Sequence, residues 1–150
     1  MPAHATMLSP QQLTDAAKAP LLTYGRKDWD AVRGSITPDF VYDEVATQRK
    51  VQGVDAVLAL WRGWATALPD SAPTFHSAVV SGNTVVLEVT WQGTHTGPLE
   101  TPKGPIAATG KRIEIRACNV IEIAADTGKA KLQRQYFDMA TMLQQLGITS

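Results

Sequence analysis

The first half of the chain spaces its hydrophobic residues three and four positions apart, as on one face of a helix. The first such stripe comprises Leu13, Ala16, Ala17, Leu21 and Tyr24. Ser9 and Gln12 precede it as an S-x-x-Q capping box, which predicts where the helix begins. We expect Pro20 to kink this helix or to end its first segment. Two further helices are predicted over residues 29–36 and 54–68.

Later in the chain the hydrophobic period changes to two, which is typical of strands. The predicted strands cover residues 40–45, 75–81, 84–93, 111–124 and 131–137, and a short helix follows over 139–146. Because helices come first and long strands follow, the pattern indicates an α+β fold rather than a parallel α/β sheet. We expect a cone, a curved antiparallel sheet wrapped around three helices, whose open end is a natural pocket.

Composition limits the classes of partner. The 150 residues suit one domain, with residues 1–8 expected to form a flexible tail. Fourteen basic and fourteen acidic side chains balance, so neither nucleic acid nor an anionic membrane is an expected partner. No apolar run reaches membrane-spanning length and no signal peptide is visible, so we expect a cytoplasmic protein. The low net charge is compatible with a homodimer or a higher homo-oligomer.

Strand alternation selects the first candidate pocket residues. In the strand predicted over 111–124, Asn119 is the only polar member of an otherwise apolar face. A buried amide needs hydrogen-bond partners, so Asn119 either fixes neighbouring backbone or binds a ligand carbonyl. In the preceding strand, Trp91 and His95 share the apolar face. His95 suits either proton transfer near neutral pH or a structural bond to its own loop.

The last strand carries the most polar candidates. Leu132, Arg134, Tyr136 and Asp138 share one face, so an inward orientation would bring a guanidinium, a phenol and a carboxylate into the cavity. Asp138 also stands directly before the terminal helix, where aspartate is a favoured cap. Both roles stay open for Asp138 from its position alone.

Three aromatic residues outside these strands complete the candidate pocket. Trp61 lies on the third predicted helix, where it is either plain core or a wall of the cavity. Tyr24 and Tyr42 are possible hydroxyl donors to a ligand. No cluster of His and Cys has metal-ligand spacing, so no metal site is expected.

Two segments match a known family pattern. Residues 91–97 read W-Q-G-T-H-T-G, with T-G-K following at 109–111, and residues 136–147 read Y-F-D-M-A-T-M-L-Q-Q-L-G. The chain resembles the SnoaL-like polyketide cyclases, also called the ester cyclase family, within the NTF2-like superfamily. It departs from the family at Arg134, where tryptophan is frequent, and in extra residues over 99–108.

The resemblance implies a cofactor-independent intramolecular aldol condensation of a polyketide ester or a similar hydrophobic carbonyl compound. Asp138 matches the position of the family's acid/base residue. Two alternatives remain open. One is a cone that binds a small ligand without catalysis. The other is an epoxide hydrolase, to which Arg134 and Asp138 would contribute, although Asn119 stands where a second carboxylate is needed.

Overall fold

The computed structural model describes residues 7–148. Of the tail predicted over residues 1–8, positions 1–6 lie outside the described residues, whereas Leu8 packs against the hydrophobic core. Helix α1 spans Pro10–Gly25 and begins at the predicted capping box. In that box the backbone N–H of Gln12 donates to Ser9 Oγ over 3.1 Å. The helix runs through Pro20 and so does not end there, and the Pro20 ring is buried and lines the cavity described below.

The next elements form one edge of the sheet. Helix α2 spans Trp29–Ser35 and strand β1 spans Ile36–Glu44, so β1 begins earlier than predicted. A single 3-10 turn and the short strand β2, Arg49–Gln52, follow, and β2 was not predicted. Helix α3 then spans Val54–Ala67, close to its predicted bounds.

The second half of the chain is mostly strand, as predicted. Its elements are β3 (Ala72–Ser81), β4 (Thr84–Thr94), β5 (Leu99–Thr101), β6 (Gly104–Ile106), β7 (Arg112–Ala124), β8 (Lys129–Phe137) and helix α4 (Met139–Gln145). Strands β5 and β6 pair in a small separate hairpin within the long loop after β4. This hairpin was not predicted, since three-residue strands leave almost no periodic signal.

The main sheet has the strand order β2-β1-β8-β7-β4-β3. Its neighbours pair antiparallel, except β1 and β8, which run parallel. The sheet is curved and open, and the helices complete the predicted α+β cone of the NTF2-like type. Residues of α1, α2, α3 and the inward sides of the strands form the larger of two hydrophobic clusters. No helix in residues 7–148 is long and apolar enough to cross a bilayer.

Candidate active site

A cavity opens between the helices and the concave side of the sheet. Its empty space measures about 670 Å³ when the solvent at its mouth is included. The walls are mainly aromatic and aliphatic, which suits a hydrophobic small molecule. The lining residues are Pro20, Leu21, Tyr24, Tyr42, Trp61, Trp64, Leu68, Ser71, Trp91, Ile113, Ile115, Gln133, Gln135, Phe137 and Met142. Four of the residues predicted for the pocket, Tyr24, Tyr42, Trp61 and Trp91, line this cavity.

A chain of hydrogen bonds crosses the cavity wall from β4 to β1. Trp91 Nε1 donates to Gln135 Oε1 over 2.8 Å, and Gln135 Nε2 donates to the Tyr42 hydroxyl over 2.7 Å. The Tyr42 hydroxyl in turn donates to Glu44 Oε2 over 2.8 Å. Trp61 packs edge-on against the Tyr42 ring, with 5.3 Å between the ring centroids. The position and direction of the Tyr42 hydroxyl are thus fixed by groups on three strands and one helix.

Glu44 is a buried carboxylate behind the cavity wall, with 0% of its surface exposed. Its Oε2 accepts from Tyr42 and from Trp64 Nε1, the latter over 2.8 Å. Its Oε1 accepts from Thr47 Oγ1 over 2.6 Å and from Arg49 Nη2 over 2.7 Å. Buried charges persist only when paired and hydrogen-bonded, and this set of donors meets that requirement for an ionised carboxylate.

The two cavity tyrosines are held in the neutral form. Burial raises the pKa of Tyr42 well above its usual value, and the nearby Glu44 carboxylate raises it further. Burial likewise raises the pKa of Tyr24 to about 12. The Tyr24 hydroxyl lies 2.9 Å from Ser71 Oγ, another lining residue. At neutral pH both phenols therefore keep their protons, and Tyr42 donates its proton to the hydrogen bond with Glu44.

The inward face of β8 is the opposite of the one predicted. In β8, Gln133 and Gln135 are buried and line the cavity with Phe137, whereas Tyr136 is 44% exposed. The pairing with β7 sets this orientation, because Gln135 lies opposite the inward-facing Asn119. Arg134 and Tyr136 therefore lie on the outer face, and their predicted place in the pocket is wrong.

Asp138 also lies outside the cavity. Its carboxylate is exposed and caps helix α4, accepting from the backbone N–H of Thr141 over 3.1 Å and from Thr141 Oγ1 over 2.7 Å. These two bonds hold the pKa of Asp138 below its ordinary value. A carboxylate satisfied by a helix terminus is a weak proton acceptor, and this one borders a hollow on the outer side of the sheet. Of its two predicted roles, the structure shows the cap.

His95 and Asn119 are buried, but neither residue lines the cavity. His95 Nδ1 accepts from the backbone N–H of Thr109 over 3.2 Å, so the ring ties two segments of the long loop together. Burial lowers the pKa of His95, which favours the neutral ring. Asn119 Oδ1 accepts from Gln133 Nε2 over 3.0 Å. Asn119 thus contacts a cavity residue without lining the cavity itself.

Sequence reasoning missed the most unusual group of the site. Glu44 follows Phe40 and Tyr42 on the inward face of β1, and extending that alternation by one step would have found it. Gln133 and Gln135 were missed because their polarity suggested a solvated face. Among residues 7–148 there is no group of three or more His, Cys, Asp or Glu side chains placed to hold a metal ion.

The fold and the cavity define the class of protein, an α+β cone of the NTF2-like type with an internal cavity, and sequence comparison defines its family. The profile of the SnoaL-like polyketide cyclases matches residues 15–146. The chain therefore belongs to the SnoaL-like polyketide cyclase family, a family of enzymes. No curated protein sequence matches the chain significantly.

Solved structures show the same fold at low sequence identity. TsrD from Streptomyces laurentii is 22% identical, with a TM-score of 0.79, and the match covers 95% of this chain and 99% of that one. IdmH, a candidate polyketide cyclase from Streptomyces antibioticus, is 23% identical, with a TM-score of 0.75 and coverage of 91% and 99%. An epoxide hydrolase of the LEH-like type from M. tuberculosis is also 23% identical, with a TM-score of 0.69 and coverage of 91% and 90%.

Proposed function

We propose that the protein is an enzyme that performs cofactor-independent carbon-acid chemistry on a hydrophobic carbonyl compound in this cavity. The specific reaction proposed is an aldol-type ring closure of a polyketide ester or a similar compound. Family membership and the apolar cavity support this class of reaction. The single observation that carries the site assignment is that Tyr42 lines the cavity and its hydroxyl donates to the fully buried Glu44.

Tyr42 and Glu44 offer a route for a proton out of the cavity and back. As a C–H bond next to a substrate carbonyl breaks, its proton passes to Tyr42 Oη while the phenol proton passes to Glu44 Oε2. This concerted transfer avoids a free phenolate, which the raised pKa of Tyr42 disfavours. The substrate enolate carbon then bonds to a second carbonyl carbon of the same molecule. The electron pair of that carbonyl moves to its oxygen, and the relay runs in reverse to protonate the alkoxide.

The remaining lining groups bind and orient the substrate. The aromatic walls formed by Trp61, Trp64 and Trp91 bury a folded hydrophobic chain and bring its reacting carbons together. Tyr24 and Ser71 lie on the same lining and have hydroxyls for a second substrate oxygen. These contacts bring the reacting carbons together, while Tyr42 and Glu44 form the proton relay and accept the proton.

Proton exchange with solvent tests this proposal without knowledge of the natural substrate. We expect the wild type to accelerate deuterium incorporation next to the carbonyl of 2-tetralone in D₂O, followed by NMR. Tyr42→Phe should lower this acceleration by about 10²-fold or more, within the usual range for general acid–base catalysis. The matched control is Tyr136→Phe, which removes a phenol from the outer face and should leave the rate unchanged. Equal rates for wild type and Tyr42→Phe would overturn the relay.

A non-catalytic ligand-binding cone is the second candidate function. It is favoured by one observation: among the described lining residues, tyrosines are the only ionisable ones, so no carboxylate, imidazole or amine meets the ligand directly. Binding of 2-tetralone with no acceleration of exchange would support this candidate and contradict the proposed enzyme. The epoxide hydrolase alternative loses its support, because Arg134 and Asp138 both lie outside the cavity.

A further inference from the structure

Two buried amides meet beside the cavity and leave part of their hydrogen-bonding capacity unused. Asn119 is 0% exposed and Gln133 is 3% exposed. A single hydrogen bond joins them, from Gln133 Nε2 to Asn119 Oδ1 over 3.0 Å. The other two polar atoms, Asn119 Nδ2 and Gln133 Oε1, are buried without a hydrogen-bond partner. Buried polar atoms in native proteins are almost always paired, so a ligand or a water is expected here.

Each amide keeps one unpaired polar atom whichever way the two amide groups are turned. Each amide has one acceptor oxygen and one donor nitrogen, and a single bond between the two amides uses one of each. Reversing both groups would therefore leave Gln133 with an unpaired nitrogen and Asn119 with an unpaired oxygen. In either arrangement Gln133 keeps one polar atom without a partner.

Gln133 is the member of the pair that lines the cavity. Its strand position is opposite Tyr42 on β1, and it lies two residues before Gln135 on the same inward face. Within residues 7–148 the other buried side-chain atoms without partners belong to Thr37 and His95, and neither residue lines the cavity. Gln133 is therefore a cavity-lining residue that also carries an unpaired buried polar atom.

We infer that Gln133 is a specificity-determining residue that binds a neutral hydroxyl group of the ligand, such as an enol or a phenol. A hydroxyl can donate to Gln133 Oε1 or, with the amide reversed, accept from its nitrogen, whereas a carbonyl could satisfy only the second arrangement. A carboxylate is disfavoured because none of the cavity-lining side chains within residues 7–148 is cationic, and an ammonium group is disfavoured because none of them is anionic.

This inference deepens the proposed function and rests on it for the identity of the bound species. Carbon-acid chemistry passes through an enol or enolate, and the proposed aldol step leaves a hydroxyl group where the alkoxide is protonated. Gln133, two residues from Gln135, would bind the hydroxyl group of such species and so distinguish them from the keto substrate. The contribution of Gln133 is to binding and selection, and it takes no part in the proton transfer.

Matched probes separate the hydroxyl contact from hydrophobic burial. We would measure, by equilibrium dialysis, the dissociation constants of 2-naphthol and of 2-methylnaphthalene, which has a methyl group in place of the hydroxyl. In Gln133→Met the preference for the hydroxyl probe should fall by about 3- to 10-fold relative to wild type, the ratio equivalent to one neutral hydrogen bond. The control Thr37→Val removes an unpaired buried hydroxyl away from the cavity and should leave the preference unchanged.

A preference that is the same in wild type and in Gln133→Met would overturn the inference, as would a wild type that binds neither probe. If Gln133→Met fails to fold because Asn119 loses its partner, the double variant Asn119→Leu/Gln133→Met removes both amides and should show the same loss of preference. Binding requires no turnover. A hydroxyl preference that is present in the wild type and lost in Gln133→Met, with no proton exchange in the wild type, would therefore contradict the proposed function while supporting the role of Gln133.

Discussion

Replacing the buried Glu44 with leucine tests whether the network behind the cavity is as tightly paired as the structure shows. The change leaves the Tyr42 and Trp64 donors without their acceptor, and it leaves the Arg49 guanidinium without its counter-ion. An unpaired buried donor costs about 1–3 kcal/mol, and the half-buried Trp64 donor stands at the low end, about 1 kcal/mol, so the Tyr42 and Trp64 donors together account for about 2–4 kcal/mol. Arg49 adds only about 1 kcal/mol, because its side chain is 33% exposed and can be hydrated.

We therefore expect Glu44→Leu to lower the free energy of unfolding by about 3–5 kcal/mol, measured by urea denaturation with tryptophan fluorescence. Adding Tyr42→Phe should recover about 1–3 kcal/mol relative to additivity, because one unpaired donor is removed. The matched control is Asp55→Leu, which breaks the ion pair with Arg33 at the surface and should cost under about 1 kcal/mol. A loss for Glu44→Leu no larger than that control would refute the paired, buried network.

Three further predictions concern the stability of the fold and the oligomeric state. Gly97→Ala should destabilise the fold, because a Cβ there would collide with the backbone carbonyl of Thr66. Gly63→Ala, on α3, places its Cβ in open space and should stabilise the fold by up to about 1 kcal/mol. The midpoints of urea denaturation compare the two variants. Because the pKa of His95 is lowered in the folded protein, the unfolded chain takes up a proton at a higher pH than the folded protein does. The free energy of unfolding should therefore fall as the pH drops below about 6.5. His95→Gln should reduce this pH dependence, measured by urea denaturation at a series of pH values. Sedimentation equilibrium should show a homodimer or a higher homo-oligomer, and a monomer at micromolar concentration would contradict that expectation.

Much of the fold was predictable because its elements have strong local signals. The capping box at Ser9 and the period-two pattern of residues 111–124 led to the observed α1 and β7. The helix does not end at Pro20, whose ring is buried in the cavity wall, and such burial is a tertiary contact that the local sequence does not report. The strands β2, β5 and β6 pair with neighbours that are close in sequence, but at three or four residues each is too short to show a clear period of two.

The candidate site was predictable only where side chains are apolar. Trp61, Trp91 and Tyr42 were placed correctly because burial of large aromatic residues follows the hydrophobic pattern. On β8 the inward residues Gln133 and Gln135 are as polar as their outward neighbours, so alternation alone could not choose between the two faces. The register with β7 decides it, and that register is a tertiary property.

The position of the proton acceptor is the central claim, and one comparison tests it most directly. Deuterium exchange into 2-tetralone should be measured for Tyr42→Phe and for Asp138→Asn under the same conditions, with the folded fraction of each variant checked by urea denaturation. We expect Tyr42→Phe to lose nearly all of the acceleration and Asp138→Asn to keep it, since asparagine also caps a helix. Loss of exchange in Asp138→Asn with full exchange in Tyr42→Phe would contradict a site built on Tyr42 and Glu44.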